Sequence, residues 1–357
     1  MTDPYIRLLE TMISTPSFSR DEGRCADILE SFLNAQGVRP DRMGNCIWCM
    51  ADGYSENRPT LLLNSHIDTV RPVSSWVRDP FVPVIEDGKL FGLGSNDAGA
   101  SVVSLVRTFV GCRMMKFPFN LLLAVTAEEE VMGEGGMRMF LAEMKSRGIG
   151  IDMAVVGEPT GLQPAVGERG LVVLDCVTKG ISGHAARNEG VNAIYKAIAD
   201  IETLRDFRFG RESGLLGPVK ISVTQIEAGT QHNVVPDVCR WVADVRTTDA
   251  YSNEEVVEIL RKAVTSSELT PRSTRIRASA IAASHPLVEA AVRAGGRPYV
   301  SPTTSDMALM PDISSLKIGP GESSRSHRAD EFIRIDELFN AFEFYPLLLN
   351  NLSDILS

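Results

Sequence analysis

The chain has 357 residues, with 46 acidic and 36 basic side chains and a formal net charge of −10. This acidic balance argues against a nucleic-acid partner, because such proteins bind phosphates through a basic surface. A chain of this length exceeds what one hydrophobic core usually holds, and it predicts two domains.

The start of the chain and its cysteines indicate a cytoplasmic protein without a membrane partner. Met1–Pro4 lacks the basic and apolar regions of a secretory signal. No run approaches the roughly 18 apolar residues of a membrane span. Six cysteines are too few for a disulfide framework at this size. Cys46 and Cys49 match CxxC without a second such pair, and we expect ordinary buried thiols there.

Helices and strands alternate in the first part of the chain and again at its end. An apolar helical stripe over 26–33 ends at Gly37, and a buried helix is predicted over 101–110. Strands are predicted at 60–64, 121–125, 153–156 and 314–318, before a closing helix over 336–352. This alternation predicts an α/β fold, with a mostly parallel sheet and helices on both faces.

Each of these strands runs into residues that can bind a metal. The candidates at the strand ends, in a Gly-rich turn and in a late loop are His66, Asp68, Glu128–Glu130, Glu158, Asp97 and His327. Ligands bind at the carboxyl ends of strands in open α/β sheets, so the candidates converge if the strands are neighbours. The acidic triplet by itself would also fit a solvated loop at a helix start. Imidazole and carboxylate suit zinc, cobalt or manganese, and so many ligands predict two neighbouring ions.

The middle of the chain has a different pattern. Strands predicted at 170–178, 220–227, 238–246 and 273–281 combine with helices at 190–205 and 253–264. Their β-α-β-β-α-β order is typical of a ferredoxin-like α+β sandwich. The sequence therefore predicts a catalytic domain formed by 1–167 and 282–357, with a second domain inserted at 168–281.

These motifs resemble, in order and over nearly the whole length, one family of dinuclear zinc enzymes. That family includes acetylornithine deacetylase, succinyl-diaminopimelate desuccinylase, aminoacylase and glutamate carboxypeptidase. The matching motifs are S-H-x-D-x-V at 65–70, the Gly-rich turn at 92–99, the triplet at 128–130, G-E-P-T at 157–160 and G-P-G at 319–321. The inserted segment matches at 182–186, 231–236 and 244–246. Runs at 183–195, 229–236 and 301–306 are most similar to acetylornithine deacetylases.

The resemblance implies a set of metal ligands. His66, Asp97 and Glu158 would hold one divalent ion, zinc or cobalt. Asp97 would bridge to a second ion, which Glu130 and His327 would complete. Many relatives have Asp-x-Lys-Gly at the bridging turn, whereas this chain reads Asp97-Ala98-Gly99. The ligand is retained, but any role of that lysine is lost.

The resemblance also implies roles around the metals. Asp68 would orient His66, and Glu129 would be the general base. His184, assisted by Asn233, would reach across a dimer interface to stabilise an oxyanion. The residues implied for binding the substrate carboxylate are Arg169, Arg246 and Thr304. For His232 and His285 we expect only structural roles.

The implied function is a metallo-amidohydrolase that acts on a small N-acyl amino acid as a homodimer built on the inserted domain, which serves as a lid. It would remove an acetyl or succinyl group from an amino acid such as ornithine or citrulline, in arginine biosynthesis. One alternative is a dipeptidase or aminopeptidase on the same scaffold, which would need an acidic anchor for a free amino group. Another is a non-catalytic binding protein, against which the complete ligand set and Glu129 argue.

Overall fold

The fold is built from two units in the computed structural model, which describes residues 3–187 and 189–357. The first unit comprises the chain up to Val166, Ile281–Tyr299 and Ser305–Ser357. The second comprises Gly167–Ala280 with Val300–Thr304. The second unit therefore interrupts the first, as expected for an inserted domain. Met1 and Thr2, which begin the segment used to predict location, lie outside the described residues.

Helices and strands alternate along much of the chain. The helices, from the N-terminus onwards, are α1 (Pro4–Ile13), α2 (Gly23–Ala35), α3 (Ala100–Cys112), α4 (Met139–Ser146), α5 (Ala193–Asp206), α6 (Asn253–Ala263), α7 (Pro286–Arg293) and α8 (Ile335–Leu356). The strands are β1 (Asp41–Met43), β2 (Cys46–Met50), β3 (Thr60–His66), β4 (Val84–Glu86), β5 (Lys89–Phe91), β6 (Asn120–Thr126), β7 (Met153–Val156), β8 (Ala165–Glu168), β9 (Gly170–Lys179), β10 (Gly183–His184), β11 (Lys220–Ala228), β12 (Val234–Val235), β13 (Val238–Thr247), β14 (Ser267–Pro271), β15 (Ser279–Ala280), β16 (Tyr299–Ser301), β17 (Ser314–Lys317) and β18 (Phe332–Arg334).

A mostly parallel sheet lies at the centre of the first unit. Its order begins β1-β2-β6-β3-β7-β17, in which β6, β3, β7 and β17 are parallel neighbours. Strand β8 follows β17 and pairs with it in the antiparallel direction. The first two strands add an antiparallel edge. Every residue of β3, β6 and β7 is buried, which is typical of parallel strands covered on both faces. The predicted catalytic fold is confirmed.

Alternate side chains of these strands supply two cores. On one face Leu61 and Leu63 pack with apolar side chains of α1, α2, α3, α7 and α8. On the other face Leu62 and Leu122 pack with side chains of α4 and with Met307. Strand side chains point alternately to opposite faces, so one apolar run serves both cores. A separate three-stranded sheet pairs β5 with β4 and with the late strand β18.

The second unit is an antiparallel sheet with two helices on one face. Its strand order is β11-β13-β9-β14. Inward side chains such as Val172 and Trp241 pack with Leu204 of α5 and Val256 of α6. Burial alternates along β9 and β13 because only this face is covered. The ferredoxin-like prediction is confirmed.

The last strand of this sheet was wrongly placed by the sequence pattern. A strand was predicted at 273–281, but the fourth strand is β14, Ser267–Pro271. In β14, Leu269 is buried and lies opposite Cys176 of β9. Only Ser279–Ala280 of the predicted segment forms a strand, and it pairs with β8. Within the predicted segment, Ile276 meets β9 only at an isolated bridge, where its carbonyl oxygen accepts the amide of Leu171. A single bridge does not make a strand.

None of the helices within residues 3–187 and 189–357 has the length and apolar character needed to cross a bilayer.

Candidate metal centre

His66 lies at the end of β3, at the carboxyl edge of the parallel strands, and is buried. Its Nε2 lies 3.4 Å from Asp97 Oδ1, 3.5 Å from Glu158 Oε1 and 3.9 Å from Glu129 Oε2. Its Nδ1 lies 3.0 Å from the backbone carbonyl oxygen of Asp68 and 3.4 Å from the Asp68 carboxylate. One ring nitrogen is thus held by Asp68 while the other faces three carboxylates, as for a metal-binding histidine.

Asp97 lies between the two histidines of the site. Its Oδ1 faces His66, and its Oδ2 lies 3.7 Å from His327 Nε2. A carboxylate that directs one oxygen to each of two imidazoles can bridge two cations. Glu158, which follows β7, lies on the His66 side. Glu130 lies on the other side, with Oε2 3.0 Å from His327 Nε2.

The acidic triplet divides its side chains because the chain turns sharply after β6. Glu128 has a positive φ of 54°, and a short helical turn, Glu129–Val131, follows it. The Asp68 carboxylate accepts hydrogen bonds from the amides of Glu129 at 3.0 Å and Glu130 at 3.1 Å. The turn is thereby fixed to the segment after β3, with Glu129 near His66 and Glu130 near His327.

The histidines bind protons strongly in this environment. Burial lowers the pKa of His66, but hydrogen bonds to Asp68 and Asp97 and the charges of Glu129 and Glu158 outweigh it, so the pKa is well above the usual value. A hydrogen bond to Glu130 raises the pKa of His327 to about 9. The site therefore attracts positive charge at both imidazoles.

The carboxylates show the complementary effect. Burial, reinforced by Asp97, raises the pKa of Glu158 to about 8. Burial also raises the pKa of Glu129 well above its usual range, and the charge of Glu158 adds to this. For Asp97 the two histidines outweigh burial, and its pKa is lowered. Two divalent cations would relieve this concentration of negative charge.

The donor set fits two divalent ions, such as zinc or cobalt. Two groups of three side chains have ligand atoms within 4.8 Å of one another, namely His66, Asp97 and Glu130, and His66, Glu129 and Glu158. His327 adds a second imidazole beside Asp97 and Glu130. Nitrogen and carboxylate oxygen are ligands that these ions accept. Glu129 and Glu130 both come within reach of a cation, so geometry does not by itself separate base from ligand.

Two candidates of the second unit come together although they are far apart in sequence. His184 in β10 pairs with Val234 in β12. The carbonyl oxygen of Asn233 accepts the amide of Ala185 at 3.0 Å. The His184 ring is exposed, and its Nδ1 accepts the amide of Ala186 at 3.2 Å. His184 in β10 and Asn233, directly before β12, therefore lie together at a two-stranded antiparallel sheet.

The remaining substrate-binding candidates also belong to the second unit. Arg169 donates to the carbonyl oxygens of Pro218, at 2.6 Å, and of Leu216. Arg246 forms a bidentate ion pair with Asp244, at 2.8 and 3.1 Å. Thr304 lies in the segment Val300–Thr304 and is half-buried.

The comparison with known families is decisive. The model of peptidase family M20/M25/M40 matches residues 62–351, most of the chain. The chain belongs to this family. It is 27% identical over 386 aligned residues to the succinyl-diaminopimelate desuccinylase of Xanthomonas campestris, covering 99% of this chain and 100% of that protein. The desuccinylase of Delftia acidovorans is 28% identical over 251 residues, and this match spans 65% of each chain.

Solved structures of the family share the fold. The M20 family metallo-carboxypeptidase Sso-CP2 of Sulfolobus solfataricus superposes with a TM-score of 0.75 at 19% identity, over 99% of this chain and 100% of that one. Aminopeptidase PepT of Bacillus cereus gives a TM-score of 0.78 at 18% identity, over 98% of each chain. At these identities the likeness concerns the fold alone.

Several buried polar residues around this M20-family site were missed by sequence reasoning. Glu22 is fully buried, and it accepts the amide of Glu128 at 3.2 Å. Thr126 donates to Asp306 at 2.9 Å behind the triplet. Glu331 accepts three amides of the turn that carries Asp97. For Glu331, the sequence shows only an acidic residue four positions after His327. A surface loop would show the same pattern, so it did not indicate a buried carboxylate.

Proposed function

We propose that this protein is a metal-dependent hydrolase that removes an acyl group from the nitrogen of an amino acid. The observation that carries the proposal is the buried Glu129 carboxylate, 3.9 Å from His66 Nε2 and beside a donor set for two cations. A carboxylate next to a metal centre is suited to general-base catalysis. Two relatives that match over nearly the full length are succinyl-diaminopimelate desuccinylases, which supports N-acyl hydrolysis.

In this proposal His66, Asp97 and Glu158 would hold one cation, and Asp97, Glu130 and His327 would hold the other. When bound, such a pair lowers the pKa of a water molecule and polarises the acyl carbonyl.

Glu129 moves the proton. It takes a proton from the attacking water as the oxygen adds to the acyl carbon, and it returns the proton to the amine nitrogen as the C–N bond breaks. Asp68 positions this base through the Glu129 amide and orients His66 through Nδ1.

The second unit supplies the proposed substrate contacts. His184 and Asn233 would stabilise the oxyanion, since preorganised donors act most strongly where charge develops. Arg246 and Thr304 would bind the α-carboxylate of the amino acid, for which a guanidinium fork is suited. Arg169 is proposed to meet the second carboxylate of a succinyl group. Arg169 would bind that carboxylate while it donates hydrogen bonds to the carbonyl oxygens of Pro218 and Leu216.

We propose N-acetyl or N-succinyl derivatives of ornithine or citrulline as substrates, with a place in arginine biosynthesis. The names of the relatives add N-succinyl-diaminopimelate as a substrate to compare. The experiment is to measure kcat/KM for these compounds, and for unblocked dipeptides, with protein loaded with zinc or cobalt. Turnover of dipeptides above all N-acyl amino acids would replace the deacylase with a peptidase. No turnover of any compound by metal-loaded protein would favour a binding protein.

We also propose a homodimer formed through the second unit. Strand β11 lies at an edge of its sheet, where unpaired backbone groups can join a second copy. Its Ile226 is 56% exposed, and Tyr195 and Ile198 of α5 are 73% and 42% exposed. An edge strand with exposed apolar side chains on it and on a helix of the same unit supports a twofold interface.

A further inference from the structure

Glu331 is a buried carboxylate that belongs to no proposed ligand set. It is 3% exposed. Its Oε1 accepts the amides of Asn96 at 2.8 Å and Asp97 at 2.9 Å, and its Oε2 accepts the amide of Gly94 at 3.1 Å. Its own carbonyl accepts the amide of Gly92 at 3.0 Å. One side chain thus accepts three backbone amides of the turn that presents Asp97.

This turn needs such an acceptor because it is not regular structure. Gly92 and Gly94 have φ values of 151° and 75°, and the amides of Gly94, Asn96 and Asp97 converge on one carboxyl group. Buried amides without acceptors are costly, and a buried carboxylate without donors is costlier. Each therefore satisfies the hydrogen-bonding capacity of the other.

The position of Glu331 in the chain gives this arrangement a further consequence. Glu331 lies four residues after His327. The same short segment therefore carries one proposed ligand, His327, and binds the turn that carries another, Asp97. Asn96 adds a second link, since its side chain donates to the carbonyl of Glu322 at 3.1 Å and accepts its amide at 3.0 Å. The loop of His327 is therefore bonded to the turn of Asp97 on both sides of the histidine, at Glu322 and at Glu331.

We propose that Glu331 is a positioning residue that sets the separation of Asp97 and His327, and thereby the affinity of the metal site these two share with Glu130. The proposal rests on the proposed dinuclear centre. The other site depends more on His66 and Glu158, which follow the central strands β3 and β7. Loss of the Glu331 carboxylate should therefore weaken the site of His327 more than the site of His66.

The test compares Glu331→Gln with a matched variant, Asp200→Asn. Gln keeps the size of Glu, but its NH2 group would face a backbone donor, so one bond is lost. Asp200 is also a buried carboxylate that accepts backbone amides, those of Thr265 at 2.9 Å and Ser266 at 3.0 Å, and it lies in the second unit. Both substitutions replace an acceptor oxygen that faces buried amides by an NH2 group, but only one touches the turn of a proposed ligand.

Stepwise dissociation constants for zinc are measured by chelator competition on each metal-free full-length variant, with the cobalt absorption spectrum recorded at each equivalent. For Glu331→Gln we expect the first constant to change little, the second to rise roughly 10- to 100-fold, and the spectrum of the second equivalent to change. Asp200→Asn should lower the unfolding temperature without altering either constant. Glu331→Asp, which retains the charge but is shorter, should lie between wild type and Gln, and it serves in place of Gln if that variant does not fold.

Unchanged second constants in both folded Glu331 variants would overturn the proposal. An equal rise in Asp200→Asn would also overturn it, since the effect would then follow general stability. Wild-type protein that binds a single equivalent would instead refute the dinuclear centre, a result distinct from failure of the positioning role.

Discussion

Two neighbouring residues of the acidic triplet have different chemical tasks in the proposed mechanism. The Glu130 carboxylate lies 3.0 Å from His327 Nε2, whereas Glu129 faces His66 at 3.9 Å. Their amides are held by the same Asp68 carboxylate, so neither side chain can easily take the place of the other. Substitutions at the two positions should therefore be distinguishable by kinetics and metal binding.

We expect Glu129→Gln to retain both metal ions and to lower kcat by roughly 10²- to 10⁴-fold, the range for loss of a general base. Glu130→Gln should release metal more readily, because a ligand oxygen is replaced by an amide. Metal content by elemental analysis, measured beside kcat at saturating metal, separates the two effects. Loss of metal in Glu129→Gln with retention in Glu130→Gln would reverse the two assignments.

At the scale of an element, the segment after the acidic triplet packs so closely against the chain before it that only glycine fits at position 136. A Cβ added at Gly136 would lie 2.0 Å from the carbonyl oxygen of Ala127, a backbone atom that cannot move aside cheaply. A Cβ at Gly111 in helix α3 would meet no atom within 4 Å. The two glycines therefore provide a matched pair of alanine substitutions.

We expect Gly136→Ala to lower the free energy of unfolding by about 1–3 kcal/mol, the usual cost of overpacking. Gly111→Ala should leave it unchanged or raise it slightly, because alanine favours a helix interior. Denaturant unfolding of the metal-free proteins measures both. A Gly136→Ala protein as stable as Gly111→Ala would show that the close approach can relax.

Helix α7 begins with a histidine cap that should respond to pH. Nδ1 of His285 accepts the amide of Leu287 at 3.1 Å, and burial lowers the pKa of His285 below its usual value. The unfolded chain therefore takes up this proton first as the pH falls. The contribution of the cap is complete above the ordinary imidazole pKa and is lost as the pH falls through the lowered folded-state pKa.

His285→Asn should retain a capping acceptor without the titration. We expect wild type to lose more unfolding free energy than this variant between about pH 8 and about pH 5. Taking the difference between the two proteins removes contributions from the other titrating groups. An identical pH dependence would show that the cap is not linked to protonation. The structural role expected for His285 is itself confirmed by the cap.

At the scale of the whole molecule, the proposed dimer and His184 are tested together. If His184 acts at the site of the partner subunit, a mixed dimer of His184→Ala and Glu129→Gln contains one complete site. Mixing the two inactive proteins under exchange conditions should restore part of the activity, at most about one quarter of that of the wild type if subunits mix at random.

Ile226→Lys, on the exposed edge strand β11, is the control for assembly. It should shift the protein to monomers in sedimentation and prevent recovery of activity in the mixture. No recovery despite demonstrated subunit exchange would show that His184 acts within its own chain or has no catalytic role.

Much of the fold followed from local patterns of the sequence. The apolar runs ending at Asn64 and Val156 could only be buried strands, and their polar endings indicated one edge of a parallel sheet. The ligand candidates were identifiable because imidazole and carboxylate side chains recur at the ends of several strands of one predicted sheet. The fourth strand of the second unit was misplaced because alternation in Arg275–Arg277 resembles a strand, whereas pairing with β9 selected Ser267–Pro271.

The sequence by itself indicated the family, through the resemblance of its ordered motifs. It also indicated the two-part architecture and the metal-ligand candidates, since these depend on residue type and periodicity. Only the tertiary structure showed which atom faces which. It placed Asp97 between two histidines, and it buried Glu331 against the amides of a turn more than 200 positions earlier in the chain. The sequence could not predict this contact, because every residue except proline has the same backbone amide. Which amides lie unpaired near Glu331 depends on the folded path of the chain.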